Sequence, residues 1–225
     1  MQRSDNRSFS ARRSFLSRLG GGFAAVGAAL GAGTATAVAQ GSSSGGWQPA
    51  RHAEDEWFDK IPGKHRTFLD AVSARGVGEA LHFASNIITT SKSGYGLGSN
   101  EVAIVVCLRH AATAFAFTDA MWSKYGASLP PDPKTNAAAT KNLYNSSDRR
   151  DEAFDALIKL GVHFAVCDKS TQGLAGSLAR KTEGNPDAVY KELLANVIGS
   201  SHMVPSGIVA VGHAQEHGYA YAYSG

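Results

Sequence analysis

The sequence is poor in cysteine: its 225 residues include only two, Cys107 and Cys167. Two cysteines are too few for a disulfide-built scaffold, so the chain must fold around a hydrophobic core. Neither GxGxxG nor GxxxxGK[ST] occurs, so nucleotide binding through those motifs is unsupported. From residue 40 onward, no run is long and apolar enough to span a bilayer.

The N-terminus carries an export signature instead. A twin-arginine pair, Arg12-Arg13, precedes a Gly/Ala-rich apolar run at 20–38. Ala37-Val38-Ala39 then gives the small-x-small pattern of a signal-peptidase site. These features predict a twin-arginine signal peptide over residues 1–39 and export to the periplasm.

Removing that signal changes the charge of the protein. The full chain has a net charge of +3, but residues 1–39 hold five arginines and one aspartate. The mature chain therefore has 17 basic and 18 acidic residues, a net charge of −1. This balance argues against a nucleic-acid partner and against an anionic membrane surface once the signal is removed.

The mature chain alternates between strand and helix patterns. Residues 40–56 lack apolar periodicity and are predicted to be a flexible leader, followed by a single domain at 57–225. Such alternation indicates an α/β fold whose mostly parallel, five-stranded sheet is covered on both sides. The strands are predicted at 65–71, 101–108, 162–167, 202–206 and 219–223.

Helices are predicted between these strands. One runs through Val77 and Ile88 and is closed by a loop at 91–100. The others lie around 115–125, after a cap at Asp148, near 172–181, after Asn185-Pro186, and at 208–217.

Ligands of such sheets bind beyond the carboxyl ends of the strands. The residues predicted at that edge are Asp70, Arg109 with His110, Cys167 with Asp168, and Ser206 with Gly207. His65 and Arg66 begin their strand and should lie at the opposite edge.

Cys167 ends a buried strand shortly before a helix. Amide groups of the helix's first turn, helped by Lys169 and opposed by Asp168, would favour a reactive thiolate. A buried structural cysteine fits the same position equally well. Cys107 lies inside an apolar run and is predicted to be core, although pairing with Cys167 stays open.

His213 and His217 are spaced four apart on a predicted helix, as two metal ligands can be. No third ligand stands near them, so we predict a solvent-facing pair. Tyr219, Tyr221 and Tyr223 alternate, which favours an edge strand with one packed face.

Several segments together resemble the DsrE/DsrF-like family, and more narrowly its Tat-exported branch. They are "PGKHRTFLDA" (62–71), "VVCLRHAATAF" (105–115), "MWSKYG" (121–126), "GVHFAVC" (161–167) and "VPSGIVAVGHAQEHGYAYAY" (204–223). The resemblance spans about residues 57–223. It implies a three-layer α/β/α domain that assembles into homo-oligomers, often trimers or hexamers, whose best understood members carry sulfur as a cysteine persulfide.

The resemblance implies that Cys167 carries the sulfur in a relay. The activity would be sulfurtransferase-like at most, and the partner would be a small sulfur compound or a relay protein. Arg109 and His110 would stabilise the thiolate or persulfide, and Asp70 and Ser206 would line the pocket. No cofactor is expected, and no metal ligand is assigned; a metal-binding module that uses His110, Cys167 or the His213/His217 pair is a third possibility. The chain departs from the family where sulfur-carrying relatives place a Cys-Gly-x-Cys or small-residue turn. The alternative is a non-catalytic oligomeric ligand-binding or structural protein with packing cysteines.

Overall fold

The computed structural model describes residues 47–132, 135–145 and 151–225. The predicted signal peptide at 1–39 and the predicted cap Asp148 lie outside these residues. Helices and strands alternate through the described part of the chain, as the sequence pattern predicts. Their order is α1 Trp57–Lys60, β1 His65–Ala71, α2 Ala74–Tyr95, β2 Val102–Leu108, α3 Asp119–Tyr125, α4 Phe154–Lys159, β3 His163–Cys167, α5 Asp168–Thr182, α6 Pro186–Ala195, β4 Ser201–Val204, α7 Gly207–Glu216 and β5 Ala220–Tyr223.

The five strands form one sheet in the order β4-β3-β2-β1-β5, and every neighbouring pair is parallel. Strand β2 is central and buried along its whole length. A strand covered on both faces needs apolar side chains pointing both ways, which explains its continuous apolar run. The prediction of a five-stranded, mostly parallel sheet is confirmed.

Two hydrophobic cores lie on opposite faces of the sheet. On the first face, which we call the α2 face, strand residues such as Ile104 and Phe164 pack with α2 to α6. On the second, the α7 face, Phe68, Val105 and Ala165 pack with α1 and α7. Because side chains alternate along a strand, neighbouring residues supply the two cores. The architecture is therefore three-layered, α/β/α.

Helix α2 is longer than predicted. It continues through Tyr95, so the first half of the predicted loop at 91–100 is helical. Ser73 caps its start, with a side chain that accepts the Gly76 N–H, and Gly96 caps its end with φ 70°. Glycine adopts this left-handed conformation without steric cost, so α2 ends at Gly96 and not at Gly94.

Two other helix predictions need correction. Helix α5 begins at Asp168, directly after β3, and not near residue 172. The predicted helix around 115–125 is two pieces, a 3₁₀ helix over His110–Ala116 and then α3. Helix α6 begins as predicted, with Asn185 accepting the Ala188 N–H and Pro186 at the first helical position.

The segment before α1 is part of the folded unit that starts at Trp47. Within the predicted leader at 40–56, Ala53–Asp55 forms a 3₁₀ turn and Asp55 is buried. Helices in the described ranges are all too short or too polar to cross a lipid bilayer.

Candidate functional site at the carboxyl edge of the sheet

Cys167 joins β3 directly to α5. It is the N-cap residue of this 15-residue helix, and its Sγ accepts the Ser170 backbone N–H at 3.4 Å. The Ser170 hydroxyl donates to the same sulfur at 3.2 Å. The sulfur thus occupies the place that a serine or aspartate oxygen usually takes at a helix start, where the amides and the dipole favour negative charge. The Cys167 residue is only 4% exposed.

The backbone of His110 is linked to the Cys167 sulfur by two hydrogen bonds through Ser170. The His110 N–H donates to Ser170 Oγ at 3.1 Å, and that hydroxyl in turn donates to Cys167 Sγ. His110 holds this position with φ 52°, a left-handed conformation that is uncommon outside glycine. Its side chain is exposed. Within the described residues, the structure places no hydrogen bond between the His110 imidazole and the sulfur.

Asp70, near the end of β1, and Arg109, directly after β2, form a buried ion pair. Arg109 Nε and Nη2 donate to the two Asp70 carboxylate oxygens at 2.7 and 2.9 Å. Asp70 is fully buried, and the Tyr221 hydroxyl also donates to it at 3.0 Å. Hydrogen bonds to Asp70 raise the pKa of the Arg109 guanidinium. The structure therefore brings Arg109 to Asp70, and among the described residues it shows no hydrogen bond from Arg109 to Cys167.

Cys107 lies next to this ion pair and is fully buried, which confirms its prediction as a core residue. Burial first, and then the negative charge of Asp70, raise the pKa of its thiol, while Arg109 opposes them. Its Sγ lies 3.9 Å from the Gly207 carbonyl oxygen. A Cβ at Gly207 would stand 2.7 Å from Arg109 Cβ, so only glycine lets α7 start this close to the sheet.

Both cysteines are free thiols. The β2–β3 register pairs Cys107 with Ala165, so Cys167 is its diagonal neighbour, two residues further along. Strand spacing and rise put the two Cα atoms roughly 8 Å apart, beyond the range of about 7 Å that a disulfide tolerates. A Cys107–Cys167 bond would require backbone movement.

Ser206 caps α7 by position only. It precedes the first helical residue with an extended backbone, but its side chain makes no capping hydrogen bond. It is half-buried and directly precedes Gly207, the residue whose backbone approaches Cys107. His65 and Arg66, which begin β1, lie at the opposite edge as predicted.

Sequence reasoning missed Ser170 and Tyr221. Ser170 stands three residues after a strand-ending cysteine, the spacing of a helix cap and its partner, so a search for cap spacing at Cys167 could have found it. Tyr221 reaches Asp70 because β5 pairs with β1. Nothing in the alternation of the tyrosines indicates which strand they would adjoin.

The prediction that His213 and His217 face solvent is wrong. His213 Nδ1 lies 2.5 Å from Asp55 Oδ2, and His217, which is buried, lies 3.0 Å from Asp59 Oδ2. Contact with His217 lowers the pKa of Asp59. Both carboxylates come from the segment before β1, which was not predicted to pack on α7. Across the described ranges, no three potential ligands from His, Cys, Asp and Glu cluster as a metal site would need.

Comparison with known proteins adds little to this geometry. No family model and no curated protein matches the chain. Among solved structures, one that matches is a protein of unknown function, MTH1491, from Methanobacterium thermoautotrophicum. Its identity is 15%, its TM-score is 0.38, and the match covers 71% of this chain and 99% of that one. The fold assignment therefore rests on the strand order and helix layers described above.

Proposed function

We propose that this protein is a DsrE/DsrF-like sulfur carrier that holds sulfane sulfur as a persulfide on Cys167. One observation carries the proposal: Cys167 Sγ accepts two hydrogen bonds from Ser170 at the start of a 15-residue helix. Both donors and the helix dipole favour an anionic sulfur, which is the form that attacks a sulfane donor and the form a persulfide takes.

The chemistry needs no cofactor. The Cys167 thiolate attacks the outer sulfur of a donor such as thiosulfate, a new S–S bond forms, and sulfite leaves with the electron pair of the broken bond. An acceptor thiolate then attacks the terminal sulfur of the persulfide, and Cys167 leaves as a thiolate. Ser170 would stabilise the anion at both stages through its N–H and its hydroxyl.

The roles given to the neighbouring residues change from those implied by the resemblance. The charge of Arg109 is engaged by Asp70, so we assign Arg109 to positioning the strand ends rather than to binding the sulfur. Ser170 takes the stabilising role, supported by the His110 backbone N–H. Ser206 stays a candidate for the pocket wall because its hydroxyl caps no helix amide.

The setting of this carrier is part of the proposal. The twin-arginine pattern at 1–39 supports export to the periplasm, where a small sulfur compound or a relay protein would be the partner. The resemblance to the family supports a homo-oligomer, a trimer or hexamer. The near-neutral charge of the mature chain argues against nucleic acid as a partner.

Mass spectrometry after treatment with polysulfide or thiosulfate tests the proposal. The chain has two cysteines, so each variant is a control for the other. We expect a gain of about 32 Da, one sulfur atom, on the wild type and on Cys107→Ser, and none on Cys167→Ser. Ser170→Ala should load about tenfold more slowly, because it loses one hydrogen bond to a charged group. Loading that persists in Cys167→Ser would overturn the assignment.

The burial of both thiols favours a second function, a non-catalytic oligomeric ligand-binding or structural protein. Cys167 is 4% exposed and Cys107 is fully buried, as packing cysteines are. Under this alternative, neither thiol gains sulfur in the folded protein and both serine variants behave like the wild type.

A further inference from the structure

A cavity of about 270 Å³, whose lining includes neither cysteine, lies between the turn Ala53–Asp55 and α7. Its apolar wall is made by the end of β4 and by the first turns of α7, with Val204, Pro205, Val209 and Ala210. Apolar surface of this kind, which stays open to the outside, gains free energy when a small molecule removes it from water.

A histidine–carboxylate pair forms the polar part of the cavity. His213 Nδ1 lies 2.5 Å from Asp55 Oδ2, and Asp55 is buried. The ring of His52 stacks on that of His213 at 5.4 Å and 19°, which fixes the plane of the imidazole.

This pairing determines what His213 offers a ligand. A carboxylate only accepts hydrogen bonds, so the shared proton belongs to Nδ1. In the neutral imidazole, Nε2 is then an acceptor. Among the described residues, Nε2 has no hydrogen-bond partner. The cavity therefore combines apolar walls with one oriented, unused acceptor.

The charges that line the cavity further restrict the kind of ligand it can bind. Glu54 and Asp55 both line the cavity and disfavour a bound anion. The apolar wall disfavours an ammonium group, because a charge loses its hydration there. A neutral molecule whose hydroxyl donates to His213 Nε2 satisfies both conditions.

We propose that this cavity is a binding site for a small, neutral, apolar molecule that carries one hydroxyl group, such as a phenol, with His213 Nε2 as the acceptor. Neither Cys167 nor Ser170 lines this cavity, although Val204 is the strand partner of Cys167. Binding of such a molecule needs no cysteine, so either proposal can fail without the other.

Titration with three probes of similar size tests this site: phenol, toluene and benzoate. Calorimetry on the wild type should show saturable binding of phenol, toluene about threefold to tenfold weaker because it lacks the donor, and benzoate weaker still. In His213→Phe the ring volume is kept and the acceptor is lost, so phenol and toluene should bind equally. Val209→Trp, at a 44% exposed position on the wall, should abolish binding of all three by filling the space.

His82→Phe is the matched control, because His82 also pairs with a carboxylate, Glu152 at 2.7 Å, but on α2 and outside the cavity. It should leave the phenol-to-toluene ratio unchanged. Circular dichroism spectra of every variant would verify that the fold is retained. Absence of saturable phenol binding to the wild type overturns the proposal. So does a phenol preference that survives in His213→Phe, or binding that survives in Val209→Trp.

Discussion

At the scale of single residues, the structure gives the two sulfur atoms different surroundings. Cys107 faces the α7 core beside Asp70, and burial raises the pKa of its thiol. Cys167 sits at a helix start with two donors on its sulfur. Burial therefore disfavours ionisation of Cys107, whereas the Cys167 sulfur has hydrogen-bond donors beside it.

The Asp70–Arg109 pair should contribute strongly to stability. Asp70→Asn keeps the volume of the side chain but leaves the Arg109 charge without its partner in a mostly buried site. We expect the free energy of unfolding to fall by about 3–5 kcal/mol, measured by urea denaturation.

Tyr221→Phe is the comparison for that experiment. It removes one hydrogen bond to the same carboxylate from a residue that is 43% exposed, so the loss should be about 1 kcal/mol. Equal losses in the two variants would contradict the assignment of Asp70 as the charge partner of Arg109.

The location of a single residue was predictable where its position along a strand determines whether it is buried or lies at the edge of the sheet. A cysteine at the end of an apolar run had to lie at the carboxyl edge, and Cys107 within such a run had to be buried. Their partners were not predictable. Ser170 meets the sulfur only because α5 starts without a loop, and Arg109 turns to Asp70 because neighbouring strands bring a buried carboxylate within reach.

At the scale of elements, the starts of β3 and β4 meet α1 through two histidines. His163 Nδ1 lies 3.0 Å from His202 Nε2, and the Trp57 ring stacks on His202 at 3.9 Å. Burial, and then the charge of His163, lower the pKa of His202 from 6.5 to about 4, and burial lowers the pKa of His163. Two neutral imidazoles can share one hydrogen bond here, but two protonated ones would repel each other.

This contact predicts an acid-sensitive stability. Between pH 6.5 and about 4, the unfolded chain binds protons that folded His202 does not, so stability falls as the pH falls through this window. Because His202 is only half-buried, solvent screens its charged form and the contribution is about 1 kcal/mol. His202→Phe should keep the stacking on Trp57 and flatten the slope of unfolding free energy against pH, measured by urea denaturation at several pH values.

Met203→Leu serves as the control for that slope, because Met203 follows His202 in β4 and carries no titratable group. Its free energy of unfolding should have the same slope against pH as that of the wild type over this range. A slope in His202→Phe that matches the wild type would show that the histidine contact carries no proton linkage.

Element types were better predicted than element ends. The apolar spacing identified α2, but its C-terminal turns run through exposed polar residues and Gly94, which carry no apolar signal. The start of α5 was placed too late because residues 168–171 are polar and lack apolar periodicity.

At the scale of the whole molecule, the alternation of patterns predicted the strand number, the parallel sheet and the two covered faces. The strand order β4-β3-β2-β1-β5 was not predictable, because hydropathy patterns specify the type of each element and not its neighbours. The packing of the segment before β1 on α7 was missed for the same reason, since Asp55 and Asp59 carry no apolar signal.

If Cys167 carries sulfur as proposed, it is the more reactive thiol of the folded protein although both cysteines are largely buried. Alkylation of the folded protein with iodoacetamide, followed by peptide mass mapping over time, measures the reactivity of each thiol. Cys167 should be modified at least about tenfold faster than Cys107, and Ser170→Ala should slow the modification of Cys167 alone. Modification of both thiols at one common rate, or of neither before the protein unfolds, would overturn the assignment of Cys167.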